Sequence, residues 1–376
     1  MPRARAAFIP LVLVLATALA GCAARPGPET LDPAGRRAAG NTSSITVLTA
    51  TDRSSTDLVR PVLGSGRGIL RYEQFTMQAA SADGGRAGAV VNARSSDPSK
   101  DFITVGRREL DEKAFEDSVN RMQKDAGGTV AVFVHGYNYS YQEAVFRLAQ
   151  LSAEVDGRVV PILFSWPSQA SVRGYVADRD SATYARDDLV HLLATLSRSR
   201  TERRVIMIGH SLGAWLVMEA LRQLRLQGRD GVISRLQVGL AAPDIDVDVF
   251  RTQAALVGRL SPPLTVLVSE DDRALAASSR LANGRPRLGA ARVDDPEIQE
   301  ISRRGGIRII DITTLPAGNA FNHDRFATFA ARYFAAAQDG HVASGVRQAG
   351  VYLLDTTGRL LSGPFNQTAR IIAGSQ

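Results

Sequence analysis

Cysteine is almost absent: the 376 residues contain one, Cys22. A single thiol excludes an intramolecular disulfide and any zinc site built on several thiolates. Long apolar runs are missing too. The one of note, Ala6 to Ala18, is interrupted by Pro10 and Thr17 and falls short of the ~20 residues a membrane-spanning helix needs. Lysine is confined to Lys100, Lys113 and Lys124 among 45 Lys and Arg residues. The arginines are scattered rather than gathered on one element, which argues against a nucleic-acid binder and is compatible with weak attraction to anionic lipid or glycan surfaces. Hydrophobic content of 44% with 22% charged residues excludes wholesale disorder and a multi-span membrane protein. The length fits one large α/β domain with extensions, or two modest ones. No metal site and no organic cofactor is indicated.

What is present at the N-terminus is a targeting pattern. Arg3 and Arg5 precede the short apolar stretch, and Leu19-Ala20-Gly21-Cys22 follows it. This resembles a bacterial lipoprotein signal, which implies removal of residues 1–21 and acylation of Cys22. Ala23, not Asp, follows the cysteine; the resemblance then implies a lipid-anchored protein of the cell envelope, at the outer membrane and facing the periplasm. Loss of Arg3 and Arg5, with no acids in 1–21, takes the formal charge from +7 to +5. Residues 22–44, with Pro26, Pro28, Pro33 and several glycines and serines, lack periodicity and read as a flexible tether.

From residue 129 onward, apolar strands alternate with amphipathic helical stretches. Strands are predicted at 129–135, 159–166, 204–209, 236–241, 264–269 and 307–312, with helices at 141–153, 181–196, 213–226, 247–256, 273–281 and 325–336. Such a series predicts a mostly parallel central sheet with helices on both faces. Ile45 to Ala50, Ile69 to Ala79 and Phe102 to Val105 read as edge strands of the same sheet. The domain is therefore placed at 45–337, followed by a C-terminal extension at 338–376 that contains a candidate hairpin over 351–361.

Gly209-His210-Ser211-Leu212-Gly213 ends a predicted strand and opens a predicted helix. A nucleophile elbow needs such a sharp turn, and the glycines avoid clashes that a Cβ would cause there. Serine is a weak nucleophile unless a base activates it and an acid orients that base. In this fold the chain order is Ser, acid, His. Of the five histidines, His323 follows the last core strand, where the base belongs; His341 is the alternative, and His191 and His210 are badly placed. For the acid, Asp272 is preferred, with Asp271 and Asp244 as alternatives. Asp244, Asp246 and Asp248 do not form a calcium loop, because Val249 and Ala255 stand where Gly and Glu are required. Backbone N–H groups of Leu212 and Tyr137 are the candidate oxyanion donors. His135 reads as a loop brace. Trp166 is either a pocket wall or a packed strand end.

Residues 129–323 resemble the bacterial alpha/beta-hydrolase family of unknown function number nine hundred, often described as esterase/lipase-superfamily proteins. The matching elements are His135-Gly136-Tyr137-Asn138, Phe164-Ser165-Trp166-Pro167, the Ser211 elbow, Leu240-Ala241-Ala242-Pro243-Asp244-Ile245-Asp246 and Asp272-Arg273-Ala274-Leu275, with Thr49-Ala50-Thr51-Asp52-Arg53 matching more loosely. The resemblance implies the alpha/beta-hydrolase fold and a Ser–His–Asp hydrolase, and supports Asp272 over Asp271. The expectation is an envelope serine hydrolase that takes a small-molecule or lipid ester and is tied to the membrane through acylated Cys22. The alternative is a non-catalytic lipoprotein that uses the fold as an interaction module.

Overall fold

Alternation along the strands builds the sheet. Val130, Val132 and Val134 join one apolar cluster while Phe133 joins a second. In the same way Ile162 and Phe164 oppose Leu163, and Leu48 and Ala50 oppose Val47, the period of two that a strand buried on both faces requires. The structure, a computed structural model, describes residues 25–34, 43–55, 62–79, 102–126, 128–153, 159–198, 204–330, 352–354 and 360–362. Cys22 and His341 lie outside the described residues.

The strands are β1 (Ser43–Ser55), β2 (Leu63–Ala79), β3 (Ile103–Leu110), β4 (Thr129–Val134), β5 (Val160–Ser165), β6 (Arg204–His210), β7 (Leu236–Ala241), β8 (Thr265–Val268), β9 (Arg308–Asp311), β10 (Tyr352–Leu354) and β11 (Leu360–Ser362). They form one sheet in the order β11-β10-β9-β8-β7-β6-β4-β5-β1-β2-β3. Pairing is parallel from β1 through β5, β4, β6, β7 and β8 to β9, and antiparallel at both margins. This is the mostly parallel α/β arrangement expected, with the upstream strands at one edge. The candidate hairpin is paired against β9 at the other edge, so part of the C-terminal extension completes the sheet.

The helices are α1 (Glu112–Asp125), α2 (Tyr141–Ala153), α3 (Tyr175–Tyr184), α4 (Arg186–Ser197), α5 (Leu212–Leu226), α6 (Asp230–Ile233), α7 (Val247–Val257), α8 (Arg273–Leu281) and α9 (Pro296–Gly305). Phe115 of α1, Leu189 and Leu193 of α4, Leu216 and Leu221 of α5, Phe250 of α7 and Ile301 of α9 cover one face. Val145 and Leu148 of α2 cover the other, with Leu31, Phe326 and Phe329. Helix α1 is additional to the helices expected from the sequence; Asp111 caps it, its side chain accepting from the Ala114 N–H at 2.7 Å. The expected helix at 181–196 is two helices that meet at Ala185.

Residues 25–34, expected within a flexible tether, are docked on the body. Leu31 is buried in the second cluster, Ala34 N–H bonds the Thr104 carbonyl at 2.8 Å, and Gln142 Nε2 donates to the Pro26 carbonyl at 2.7 Å. Burial of one leucine and these bonds offset the entropy that a proline-rich segment would otherwise keep.

Asp52, on β1, is fully buried, and no other described residue hydrogen-bonds either carboxylate oxygen. Burial, then the charge of Asp188, push its pKa up to about 7, against partial relief from Arg53 and Arg67. A carboxyl whose native pKa exceeds its unfolded value binds its proton more tightly when folded. The contribution of Asp52 to stability is therefore fullest at low pH and is lost as pH rises from about 4 to about 7. Asp52→Asn removes that titration. In thermal or urea melts, the variant is expected to gain on the parent by as much as ~4 kcal/mol between pH 4 and pH 8; an unchanged difference overturns the assignment.

Candidate active site

Strand β6 runs straight into α5 through Ser211, which takes φ 55° and ψ −120°. A positive φ at a residue with a side chain costs on the order of 1–3 kcal/mol and persists only where the surroundings enforce it. Here the Ser211 N–H donates to the Ala241 carbonyl at 2.9 Å, and the Ser211 carbonyl accepts from Ala214 at 3.0 Å and Asp244 at 3.2 Å. Space is enforced as well. A Cβ on Gly209 would lie 2.7 Å from Ala214 Cα, and one on Gly213 would lie 2.4 Å from the carbonyl oxygens of both Val134 and His135. The elbow glycines are thus needed for close approach, not for their own dihedral angles. Gly136 is packed against the serine itself: its added Cβ would sit 2.9 Å from Ser211 Cβ.

Leu212, directly after Ser211, is the first residue of α5. Its N–H is among the first four of the helix, which have no intrahelical acceptor and carry the positive end of the helix dipole. The segment Gly136-Tyr137 leaves β4 beside the serine. Tyr137 is held by its hydroxyl, which donates to the Val172 carbonyl, and by an edge contact with Tyr175 at 5.4 Å.

On the neighbouring strand ends, Asp272 and His323 are paired. The buried Asp272 carboxylate is divided: Oδ1 caps α8 by accepting from Leu275 N–H at 3.0 Å, and Oδ2 accepts from His323 Nδ1 at 2.6 Å. A neutral His323 that donates through Nδ1 keeps Nε2 as its proton acceptor. Burial opposes protonation of this ring, yet the Asp272 bond and the charges of Asp272, Asp244 and Asp324 outweigh it and raise its pKa above the ordinary 6.5.

Asp271, the alternative acid, has other work. It forms an ion pair with Arg325 that includes a 2.9 Å bond, and it accepts from Ser269 Oγ at 2.9 Å and Asn322 Nδ2 at 2.9 Å. The Arg325 bond holds its carboxyl below the usual range. The two adjacent aspartates thus grip the His323 loop at separate points. Asp244 is occupied by Tyr175 Oη at 2.8 Å, Ser278 Oγ at 2.6 Å and Arg287 at 3.3 Å. Asp246 caps α7, and Asp248 pairs with Arg251 and Arg285; the spaced aspartates have three different structural uses.

His210 joins the two halves of the site. Its Nε2 donates to the His323 carbonyl at 3.0 Å, and its ring lies 4.7 Å from that of His323. Burial and the neighbouring His323 hold it far below the ordinary imidazole pKa, so it is neutral. Ser211 therefore follows directly on the residue that braces His323. A residue flanking the serine cannot reach round to it, and the bracing bond of His210 spans 113 positions and leaves no local signal in the sequence.

The floor is a second network. His135 stacks on Trp166 at 5.0 Å, accepts the Ser165 hydroxyl at 3.1 Å on Nε2 and donates to the Gly136 carbonyl at 2.8 Å, while the Trp166 indole N–H donates to the His135 carbonyl at 2.8 Å. Burial and Arg53 push the His135 pKa down to about 3. His135 is the expected brace. Trp166 is fully buried, so of its two readings the packed strand end applies and the pocket wall does not. Arg53 donates to Ser165 Oγ at 3.0 Å and to the carbonyls of Gly64, Ser168 and Tyr139 at 2.9, 3.1 and 3.0 Å. Asn138, Ala170, Ala242 and Asn322 also take positive φ, and backbone strain gathered round one rim is a mark of a functional site.

A parallel sheet with an elbow at its centre and an acid–histidine pair on later strand ends defines the class of alpha/beta hydrolases. Residues 111–336, more than half of the chain, match the family described as alpha/beta hydrolase of unknown function (DUF900), and the chain belongs to that family. The uncharacterized protein alr1448 of Nostoc sp. (strain PCC 7120) is 23% identical over 27% of this chain, and the match spans 33% of that relative's length. A crystal structure named "Putative hydrolase", from Agrobacterium vitis S4, covers 70% of this chain and 96% of its own at 13% identity and a TM-score of 0.28. That likeness is too distant to bear on fold or function.

Close approach at the elbow has a measurable consequence. Gly213→Ala forces a methyl group onto two backbone oxygens that no rotamer change relieves, and is expected to destabilise the fold by about 2–3 kcal/mol or more. Gly239→Ala, on β7 with no atom within 4 Å of its added Cβ, is expected to be neutral or slightly stabilising. Urea melts of the two variants check this contrast.

Proposed function

We propose that the protein is a serine hydrolase that cleaves carboxylic esters through an acyl-enzyme on Ser211. The observation that carries this reading is the 2.6 Å Asp272–His323 bond, braced by the neighbour of a serine held at the N-terminus of a helix. In this mechanism Ser211 Oγ attacks the ester carbonyl while His323 Nε2 takes its proton. The N–H groups of Leu212 and Tyr137 receive the oxyanion. His323 then gives the proton to the departing alcohol, and water, deprotonated by the same nitrogen, releases the acid. Asp272 holds the ring in the required tautomer and stabilises the imidazolium. The substrate is a small-molecule or lipid ester.

A fluorophosphonate probe is expected to label Ser211, with labelling and ester hydrolysis both lost in Ser211→Ala. Asp272→Asn is expected to cost on the order of 10³–10⁴ in kcat, the scale on which triads depend on the correct tautomer. Because the neutral ring is the active form, kcat/KM of the parent should fall on the acid side through a pKa above 6.5. Removing the charge that raises this pKa should move the limb to lower pH in Asp272→Asn. An unlabelled serine in folded protein, or an acid limb that the variant leaves in place, counts against the reading.

We further propose that Cys22 carries an acyl anchor and holds the chain in the cell envelope, at the outer membrane on the periplasmic side. The sequence pattern Leu19-Ala20-Gly21-Cys22 supports this. Cys22→Ala is expected to move the protein from the membrane to the soluble fraction; continued sedimentation with membranes overturns it.

A further inference from the structure

Arg25 lies three residues after Cys22, and its guanidinium is fastened to the rim of the site. It donates to the Ala170 carbonyl at 2.6 Å, to the Asn138 carbonyl at 3.1 Å and to Asn138 Oδ1 at 2.8 Å, and it pairs with Glu143 at 3.5 Å. Asn138 adjoins Tyr137, and Gly136 lies so near Ser211 that an added Cβ would sit 2.9 Å from the serine Cβ. Three residues reach at most about 10 Å when fully extended. The acyl group proposed above for Cys22 therefore starts within about 10 Å of the Arg25 backbone.

The same rim carries apolar side chains turned to solvent. Val172 is 78% exposed and Val176 75%, on the segment whose Val172 carbonyl receives the Tyr137 hydroxyl; Phe321, two residues before His323, is 62% exposed. Arg173, between the two valines, is exposed as well. A single exposed apolar residue is ordinary. Here Val172 and Val176 stand by the segment bonded to Tyr137 and Phe321 stands two residues before His323, with the exposed Arg173 between the two valines. An interfacial protein presents this combination to an anionic bilayer.

We propose that this rim, formed by Val172, Val176 and Phe321, seats on the lipid surface that holds the anchor, and that the substrate is a long-chain ester drawn directly from that bilayer. This rests on the serine-hydrolase and lipid-anchor readings above and goes beyond them in fixing orientation and substrate class. The anchor supplies membrane attachment; the rim turns Ser211 toward the lipid.

The test uses the full acylated protein in vesicles of phosphatidylethanolamine and phosphatidylglycerol. Val172→Cys, Val176→Cys and Gln227→Cys each introduce one free thiol for an environment-sensitive fluorophore. Gln227 is exposed at the C-terminal end of α5, about 22 Å of helix away from Ser211. Spin-labelled lipid is expected to quench the labels at 172 and 176 at least threefold and to leave the label at 227 unchanged. In a second arm, Val172→Asp combined with Val176→Asp is expected to float with vesicles as the parent does. The ratio of its rate on a vesicle-borne long-chain ester to its rate on a soluble short-chain ester is expected to fall at least tenfold. Unquenched labels at 172 and 176 overturn the docking face, whether or not Ser211 reacts. An unchanged rate ratio overturns the substrate class. Quenched labels in a protein inert to both esters support the docking face and overturn the hydrolase reading alone.

Discussion

The space left around Ser211 governs the rest of the molecule. Helix α5 leaves β6 so closely that positions 209 and 213 admit no side chain, and the segment after β4 passes near enough that position 136 admits none either. With those three positions bare, strand ends β4 and β6 and the start of α5 close on the serine and hold it at a backbone angle it would not choose. The hydrogen bond from Ser211 N–H to Ala241 then ties in β7, and the Asp244 N–H ties in the loop beyond it. Everything that faces the serine is placed relative to this one crowded turn.

Charge is arranged around the turn with the same economy. Asp272 has two oxygens and two duties, capping α8 and orienting His323, so the helix and the imidazole are positioned by a single carboxylate. Asp271 holds the other side of the same loop through Arg325 and Asn322. Neither residue substitutes for the other, because their side chains leave the chain in different directions and meet different partners. A loop without regular structure is thereby held at two points, so that His323 keeps one position relative to α8.

The parallel sheet and the elbow were legible because each has a local signature, alternating apolar residues and glycines at fixed spacing; a polar residue at a strand's C-terminal end marked Asp272 no better than Asp271 or Asp244, and it is the fold that pairs Asp272 with His323. The remainder depends on partners far along the chain. Trp166 is buried in the first apolar cluster and stacked on His135, thirty-one residues earlier. Arg25 docks through Asn138 and Ala170, 113 and 145 positions away, so the segment around it reads locally as a tether. The apolar residues of the hairpin around 351–361 gave no hint that β9 is their neighbour. Helix α1 has little apolar content, and only its cap at Asp111 marks its start.

Arg53 carries a consequence for how the protein can change. Three of its four bonds end on main-chain carbonyls, those of Gly64, Tyr139 and Ser168. A carbonyl is present whatever the residue, so the side chains at those three positions, one on β2 and two in the segments after β4 and β5, can be exchanged without removing an acceptor. A lysine at position 53 has a single nitrogen and no planar fork with which to meet several loops at once. The clamp therefore ties the ends of β1, β2, β4 and β5 together through atoms that every residue type carries, and its own dependence falls on the guanidinium at position 53.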